Sequence, residues 1–511
     1  MPLLAGSMNG RLRAIPWRRG RVASPLAGRH EVISQAERGS LMTKAEELAD
    51  FAVGANFKDL SSQAVHQLKI RLLDSVGCAI AALGQGPTPV IRDHIREFCP
   101  QGNCTMIGGG QTSPDLAAFY NGALVRYLDF NDSYLAKGET CHPSDNVAPV
   151  LAAAEYSDAD GKDFLAALAV AYQVQCRLSD VAPVRAAGFD HVVQGSYAVA
   201  AGISRAMRLN PNQTANAIAI AGTASNALRV TRTGKLSHWK ALAYPNMAAV
   251  VVRAALLARS GVTGPLEVFE GNKGFMDAIV GKFEINWKRE NLERVTRTIL
   301  KKYNAEIHSQ SAIEAALSLK NENQIPVQTI ERADLDIFDV AYNIIGGGEE
   351  GDKKQVETKE QADHSLPYLI AAALLDGKVM PEQYAAGRIG RSDVQRLLRK
   401  VFVTPNAEYS AQFPTRMRCR LTLTLKDGSV FSREQEDFPG FLTRPMSWQE
   451  AAGKFTALCA PFATNELIKA VADHITACEN RKPGDLPSLL CQAKPRDSAG
   501  QAGAKRRQAG G

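Results

Sequence analysis

The chain has 511 residues, of which 45% are hydrophobic and 22% charged. This composition is typical of a globular protein with roughly two to four domains. Its longest apolar stretches, such as 248–252, meet a charge (here Arg253) before they reach the ~18 residues that a membrane span needs. The sequence therefore predicts a soluble protein without a membrane partner.

The formal net charge of +7 is concentrated at the two ends of the chain. Residues 1–41 and 481–511 each hold seven basic and two acidic residues, which leaves residues 42–480 with a net charge of −3. The first segment predicts a disordered or targeting extension, and the second a disordered basic tail. A mildly acidic body lacks the basic surface that nucleic acid requires, so we expect no nucleic-acid partner.

The nine cysteines are scattered along the chain, and no two form a CxxC pair. This spacing argues against a disulfide framework and against an iron–sulfur cluster. We expect reduced thiols and a cytoplasmic protein, or one in the mitochondrial matrix if residues 1–41 are a transit peptide.

Helical patterns dominate residues 42–292. Thr43 and Glu46 have the spacing of a capping box, which predicts the first helix of the folded body. Apolar residues then recur at steps of three and four across 60–84. Abundant Ala and Gly would let such helices approach closely, so we expect an all-helical bundle domain.

The pattern changes after about residue 295. Alternating apolar residues predict strands at 333–345 and at 416–432, where a Lys-Asp-Gly turn indicates a hairpin. A helix is expected at 364–377, and helical periodicity returns at 447–480. The predicted fold is mainly α, with a smaller α+β lid domain (293–440) inserted before C-terminal helices (441–480) that return to the helical domain.

A polar loop interrupts the helices at 129–146, with the sequence DFNDSYLAKGETCHPSDN. Rigid scaffolds often carry functional side chains on such loops, although a lone histidine in a polar loop is more often simply solvated. Its acids are too many to line an anionic pocket directly, so we expect some to pair with Lys or Arg. Asp129, Asp132, Ser133 and neighbouring polar residues would then hold the loop and orient His142.

Basic and aromatic residues recur at later helix–loop junctions. His191 precedes a helix of small residues, and Arg232, Lys235, His238 and Lys240 fall within nine residues; further along come Lys273, Tyr303 and His308. This set suits a polycarboxylate ligand and proton transfer. The sequence contains no HExxH, Walker A or GxGxxG motif in the context that a metalloprotease, P-loop or dinucleotide site needs.

Four segments together resemble the MmgE/PrpD family, whose best-known members are 2-methylcitrate dehydratases. They are LLDSVGCAIAALG (72–84), YLDFNDSYLAKGETCHPSDN (127–146), GKLSHWKA (234–241) and ETKEQADHSLPYLIAAALLDG (357–377). The likeness spans about 43–480, and the second segment looks like the methylcitrate dehydratase branch. The resemblance implies a helical domain with an α+β lid, a homodimer, and neither a metal nor another cofactor.

The resemblance also implies site residues. They are Asp129, Asp132, His142, His191, Lys240, Lys273 and Tyr303, with Lys235 as a secondary contact. Arg232 could add a cation, whereas His364 in the Asp363-His364-Ser365 signature is interpreted as structural.

The leading hypothesis is a hydro-lyase that dehydrates 2-methylcitrate, or citrate, to an aconitate-type alkene. One of His142 and His191 would act as base and the other as proton donor, while Lys240, Lys273 and Arg232 stabilise the developing charge. Two other hypotheses stay open. One is decarboxylation of cis-aconitate, or isomerisation or epimerisation of a dicarboxylate, in the same pocket, and the other is a catalytically silent binding protein.

Overall fold

The computed structural model describes residues 42–495. Within that range the chain forms nineteen α-helices: α1 (Lys44–Gly54), α2 (Ser62–Ala81), α3 (Thr88–Phe98), α4 (Pro114–Tyr127), α5 (Val147–Tyr156), α6 (Gly161–Val181), α7 (Val192–Ala206), α8 (Pro211–Ala224), α9 (Trp239–Arg259), α10 (Gln310–Asn323), α11 (Asp339–Ala341), α12 (Lys359–Ala362), α13 (Leu366–Asp376), α14 (Ala386–Ile389), α15 (Ser392–Leu398), α16 (Ala407–Gln412), α17 (Trp448–Cys459), α18 (Asn465–Thr476) and α19 (Asp485–Leu490).

The strands of the described range are fewer and mostly short. They are β1 (Cys104–Thr105), β2 (Gln111–Thr112), β3 (Tyr134–Leu135), β4 (Thr140–Cys141), β5 (Ile330–Ile337), β6 (Val401–Pro405), β7 (Cys419–Leu425) and β8 (Val430–Gln435). β1 pairs with β2 and β3 with β4 in small antiparallel ladders. The fold is mainly α with a small α+β part, so the predicted fold class is confirmed.

The helical part is built from small residues and well-capped helices. Thr43 and Glu46 make the predicted capping box at the start of α1. In the centre α6 packs against α7, and α4 against α9. A Cβ atom added at Gly202 of α7 would lie 2.8 Å from Cβ of Ala171 in α6, closer than real Cβ atoms approach. The small residues therefore set the close spacing of these helices.

A four-stranded sheet with the order β6-β5-β7-β8 forms the other part. β5 runs parallel to β6 and antiparallel to β7, and α10 and α13 pack beside the sheet. The predicted hairpin is β7–β8, whose register pairs Cys419 with Gln435 and Thr424 with Val430. Alternate residues of β7 are buried, as its sequence pattern indicates.

The predicted strand at 333–345 is wrong in its second half. β5 ends at Ile337, and the chain is helical from Asp339 through a π-helical turn that ends at Gly346. The buried residues Ala341, Ile344 and Ile345 are spaced by three and four positions, which fits a helix as well as an alternating pattern. Periodicity alone could not separate these two possibilities.

Buried apolar side chains form two large clusters. One draws on residues 45–295 and 455–493, and the other on 299–441. The domain boundaries at 292/293 and 440/441 stay predictions, because the chain from Thr43 onward groups as one compact unit. The predicted extension at 1–41 lies outside the described residues.

The tail predicted to be disordered from residue 481 is wrong for 481–495. α19 lies in this segment, and Leu486, Leu490 and Ala493 are buried. The few apolar residues of this basic segment are enough to pack α19 against the rest of the protein. Residues 496–511 lie outside the described range.

One helix of the described range, α9, is long and apolar enough to span a membrane by length and composition alone. Of its most apolar window, 72% is buried inside the protein. That burial is typical of the core helix of a globular protein, so α9 is weak support for a membrane segment.

Candidate active site

The polar loop that follows α4 is folded into the interior. Asp129 and Asp132 are 2% and 0% exposed, and His142 is 8% exposed. The β3–β4 ladder and a 3₁₀ turn at Pro143–Asn146 carry the chain from α4 to α5. The solvated-loop alternative is therefore wrong, since burial of so many polar groups requires dedicated partners.

The ring of His142 is fixed through Nδ1. This atom lies 2.8 Å from the backbone carbonyl oxygen of Asp132 and 3.1 Å from Oγ of Ser133. A carbonyl only accepts, so Nδ1 carries the proton and Nε2 keeps its lone pair. Within residues 42–495 no group hydrogen-bonds to Nε2. Burial, together with Arg126 and Lys301, holds the pKa of His142 well below its usual range, so the ring is neutral.

The carboxylate of Asp132 supports the loop from behind. Its Oδ1 accepts from the backbone N–H of Ser144 at 2.9 Å, and its Oδ2 accepts from the hydroxyl of Tyr172 at 3.0 Å. Asp132 is absent from the side chains that line the cleft described below. Its predicted role in substrate binding stays a prediction, and its backbone carbonyl orients His142, as expected for this loop. Ser133 likewise contacts the ring of His142.

Asp129 is the centre of a buried charge cluster. Its Oδ1 lies 2.6 Å from Nη1 of Arg126 and 2.8 Å from Nζ of Lys301, and its Oδ2 lies 3.0 Å from Nζ of Lys240. Burial alone would raise the pKa of Asp129, but these cations hold it well below its usual range. The prediction that loop acids pair with Lys or Arg is confirmed here.

Lys240 joins Asp129 to the helix-capping segment before α13. Its Nζ lies 3.0 Å from Oδ1 of Asp363 and 3.1 Å from Nδ1 of His364. Asp129, Asp363 and His364 offer three atoms within 4.8 Å of one another, a set that could bind a metal ion. The ammonium group of Lys240 already bonds to both carboxylates, so it supplies positive charge at this position. Lys240 itself does not line the cleft.

His191 begins α7 beside a second buried pair. Nε of Arg232 donates to Oδ2 of Asp190 at 2.7 Å, and Nη2 of Arg232 lies 3.3 Å from Nε2 of His191. An arginine only donates, so Nδ1 of His191 carries the proton, and it has no hydrogen-bond partner in the described part of the chain. Burial lowers the pKa of His191 to about 3 although Asp190 opposes this, so the ring is neutral. The centres of the His142 and His191 rings are 5.4 Å apart.

A histidine–carboxylate pair enters from the segment before α10. Nδ1 of His308 donates to Oε1 of Glu306 at 2.7 Å, and the other ring nitrogen is buried without a partner among the described residues. Although burial opposes it, the charge and hydrogen bond of His308, with His364 and Lys301, lower the pKa of Glu306 to about 2.

These groups meet in one polar cleft. It is lined by Arg126, Asp129, Glu139, Thr140, His142, Arg185, His191, Arg229, Arg232, Glu306, His308, Ile344, Glu350 and His364. Four of these side chains are arginines and four are carboxylates, which balances their formal charges. The free space is about 40 Å³, enough for about three water molecules. His364, interpreted from the sequence as structural, is one of the lining residues.

Three predicted site residues lie elsewhere. The hydroxyl of Tyr303 donates to Glu314, and its ring belongs to the core beneath the sheet. Lys235 is exposed, and the side chain of Lys273 is 83% exposed with Asp277 as its ion-pair partner at 3.6 Å. None of the three lines the cleft, and their catalytic or binding roles stay predictions.

Sequence reasoning missed several lining residues. Arg126 is at the end of an apolar helix, where a basic residue is ordinarily read as a favourable partner of the helix dipole. Arg229 shares the basic segment of Arg232 but was not selected. Glu306 precedes His308 by two residues, and this spacing was the available signal for the pair.

Comparison with known proteins assigns the chain to a family. The MmgE/PrpD N-terminal domain matches residues 46–288, and the MmgE/PrpD C-terminal domain matches residues 303–476. The chain belongs to the MmgE/PrpD family. The family resemblance predicted from the sequence is thus confirmed.

Relatives of this MmgE/PrpD protein fall under two enzyme names. A 2-methylcitrate dehydratase of Escherichia coli K12 is 28% identical over 75% of this chain and 83% of its own length. A mitochondrial 2-methylcitrate dehydratase of Yarrowia lipolytica is 27% identical over 77% and 79%. The cis-aconitate decarboxylase of Mus musculus is 24% identical over 86% and 91%. Both names describe enzymes that act on tricarboxylates.

Proposed function

We propose that this protein is a hydro-lyase that removes water from 2-methylcitrate, and less readily from citrate, to give an aconitate-type alkene. The observation that carries the proposal is the tautomer of His142. Its protonated Nδ1 bonds to the Asp132 carbonyl, which leaves a basic Nε2 in a cleft lined by four arginines. A neutral base among cations suits abstraction of a proton next to a carboxylate.

The first step places charge on a carboxylate. Nε2 of His142 takes the proton from the carbon next to that carboxylate, and the electron pair left on carbon is shared with the carboxylate oxygens. Arg126 and Arg232 are buried beside the cleft and stabilise this added charge. Because they are already held by Asp129 and Asp190, little reorganisation is needed during the reaction.

The second step breaks the carbon–oxygen bond. The electron pair forms the alkene as the hydroxyl group leaves, and a proton must reach that oxygen to release water. We assign this proton to His308, because its ring lines the cleft and its Nδ1 is held by the Glu306 carboxylate. His142 and His308 thus divide the roles of base and acid. His191, neutral with a buried Nδ1–H, serves as a hydrogen-bond donor; this replaces its expected role as base or acid.

The acid assignment can be tested with Glu306→Gln. This change keeps the shape but removes the negative charge, so we expect kcat to fall about 10- to 100-fold. Glu314→Gln is the matched control, since Glu314 lies outside the cleft. An unchanged kcat in Glu306→Gln would remove His308 from the acid role.

A second candidate is decarboxylation of cis-aconitate. The mouse decarboxylase aligns with a larger share of this chain than either dehydratase named above, and this supports decarboxylation as the alternative function. Chelator-treated protein should be given 2-methylcitrate, citrate and cis-aconitate in parallel, with the alkene followed by ultraviolet absorbance and the products by chromatography. Itaconate and carbon dioxide from cis-aconitate would establish the decarboxylase instead. Dehydration that requires added iron would overturn the proposed mechanism.

The expected assembly and location are part of the proposal. We infer a homodimer on the basis of the family, which sedimentation velocity would test. We infer a cytoplasmic protein, or one of the mitochondrial matrix if residues 1–41 act as a transit peptide; the mitochondrial relative from Yarrowia lipolytica supports the second possibility.

A further inference from the structure

The outer wall of the cleft holds two arginines that share one acidic partner. Nη2 of Arg229 donates to Oε1 of Glu350 at 2.7 Å, and Nη2 of Arg185 lies 3.4 Å from the same oxygen. The two arginine side chains are 16% and 23% exposed, and the glutamate side chain is only 4% exposed. An anion from the α+β part of the chain therefore sits between two cations of the helical part.

The backbones of the two arginines are held without Glu350. The backbone N–H of Arg185 donates to Oε2 of Glu139, and the backbone N–H of Arg229 donates to the carbonyl of Gly188, at 3.2 and 2.9 Å. These bonds lie within the helical part, so they persist if Glu350 moves away. Burial and neighbouring Arg229 lower the pKa of Arg185, and Glu350 opposes this shift.

Glu350 fills this place incompletely. Only Oε1 is used, and Oε2 is buried without a hydrogen-bond partner among residues 42–495. A freely placed carboxylate could bind both guanidinium groups with both oxygens, which is the stronger arrangement. Burial of this oxygen without a hydrogen bond costs free energy. The contact between Glu350 and the two arginines is therefore weaker than it could be, and a ligand carboxylate can replace it.

The segment that carries Glu350 has the backbone freedom to move. It follows the glycines 346–348, and Gly347 and Gly351 have φ angles of 110° and 90°, which side chains with a Cβ rarely adopt. The cleft must also enlarge, since its free space of about 40 Å³ cannot hold a tricarboxylate. Withdrawal of Glu350 would enlarge it and would leave the charge of the lining positive.

We propose that Arg185 and Arg229 form a carboxylate-binding subsite that Glu350 occupies in the closed cleft and yields to a carboxylate of the substrate. Glu350 is then a latch that competes with the ligand. This inference rests on the proposed function only in its choice of a tricarboxylate as ligand, because the arginine–glutamate contact is independent of the reaction.

The test measures binding of tricarballylate, a tricarboxylate without a hydroxyl group to lose, by calorimetry. Glu350→Gln should bind it about fivefold or more tightly than the unaltered protein, because apparent affinity rises with the fraction of molecules whose site is free. Glu331→Gln, the same change at an exposed residue of β5, should leave the affinity unchanged. Arg229→Gln in the Glu350→Gln background should weaken binding about tenfold. Equal or weaker binding by Glu350→Gln would overturn the latch.

A second measurement does not depend on any variant. In the unaltered protein, tricarballylate should raise hydrogen–deuterium exchange of the backbone amides at 346–351, since the segment loses its anchor. Unchanged or slower exchange would overturn the proposal. Failure to dehydrate 2-methylcitrate would refute the proposed function but leave these binding and exchange results interpretable. Dehydration without the expected differences in binding would refute the latch alone.

Discussion

Nδ1 of His142 lies 2.8 Å from the backbone carbonyl oxygen of Asp132, ten residues earlier in the chain. This contact fixes which ring nitrogen is basic. It also ties the proposed base to a loop in which the carboxylate of Asp132 is anchored to Tyr172 of α6. A main-chain acceptor gives the ring its tautomer and orientation, a role that a carboxylate side chain often has in other histidine sites.

Replacement of His142 by Ala should lower kcat about 10²- to 10⁴-fold while the protein remains folded, because the proposed proton acceptor is lost. Steady-state kinetics on 2-methylcitrate, with circular dichroism to check the fold, would measure this. His94→Ala is the matched control, since His94 is an exposed residue of α3. Near-normal turnover of His142→Ala would remove this residue from the mechanism.

Replacement of Lys240 by Met should mainly destabilise the protein. Removal of its ammonium group leaves Asp129 and Asp363 with one fewer cation in a buried cluster, which costs about 3–5 kcal/mol in the free energy of unfolding. Denaturant titration would measure the loss. Lys235→Met removes an exposed lysine of the same segment and should change the free energy by less than about 0.5 kcal/mol. Equal stability of the two variants would show that Lys240 is not structural.

The stability of the protein should depend on pH through Asp145. Burial raises the pKa of this carboxyl group to about 7, against the opposing effect of Arg126 and Arg232. Between the unfolded pKa near 4 and the folded value, the native state binds the extra proton. The contribution of Asp145 to the free energy of unfolding therefore decreases as the pH rises from about 4 to 7, by at most about 4 kcal/mol in total. Above pH 7 it stays at this lower level.

The measurement is the free energy of unfolding at pH 5 and pH 8 for the unaltered protein and for Asp145→Asn, which has no proton to lose. The variant should gain stability relative to the unaltered protein at the higher pH. Asp158→Asn is the control, because the side chain of Asp158 is 77% exposed. A difference between the two proteins that is independent of pH would contradict the raised pKa.

Shortening the chain should distinguish the two halves of its basic C-terminal segment. A chain of residues 42–495 keeps α19, whereas a chain of 42–480 loses the buried side chains of Leu486 and Leu490. Burial of two leucines is worth about 3–6 kcal/mol, so the shorter chain should melt at a lower temperature. Thermal melting would compare them, and equal melting temperatures would show that α19 contributes nothing to stability.

Local patterns were enough to predict much of the fold. The capping box at Thr43, the three- and four-residue apolar steps of α2 and the alternation in β7 all depend on residues close in sequence. Local patterns gave the wrong prediction at 338–345, where the spacing of the apolar residues fits both a strand and a helix. They also failed where three buried apolar side chains in a basic segment sufficed to pack α19.

The candidate site divides in the same way. The sequence by itself indicated that the 129–146 loop belongs to a polar site and that its acids need cationic partners. Only the tertiary structure decided which partners: Lys301 meets Asp129 across 172 positions, and Lys240 meets Asp363 across 123. The physical reason is that helix and strand formation depends on neighbours a few residues apart, whereas a buried charge depends on whatever distant group the packed chain places beside it.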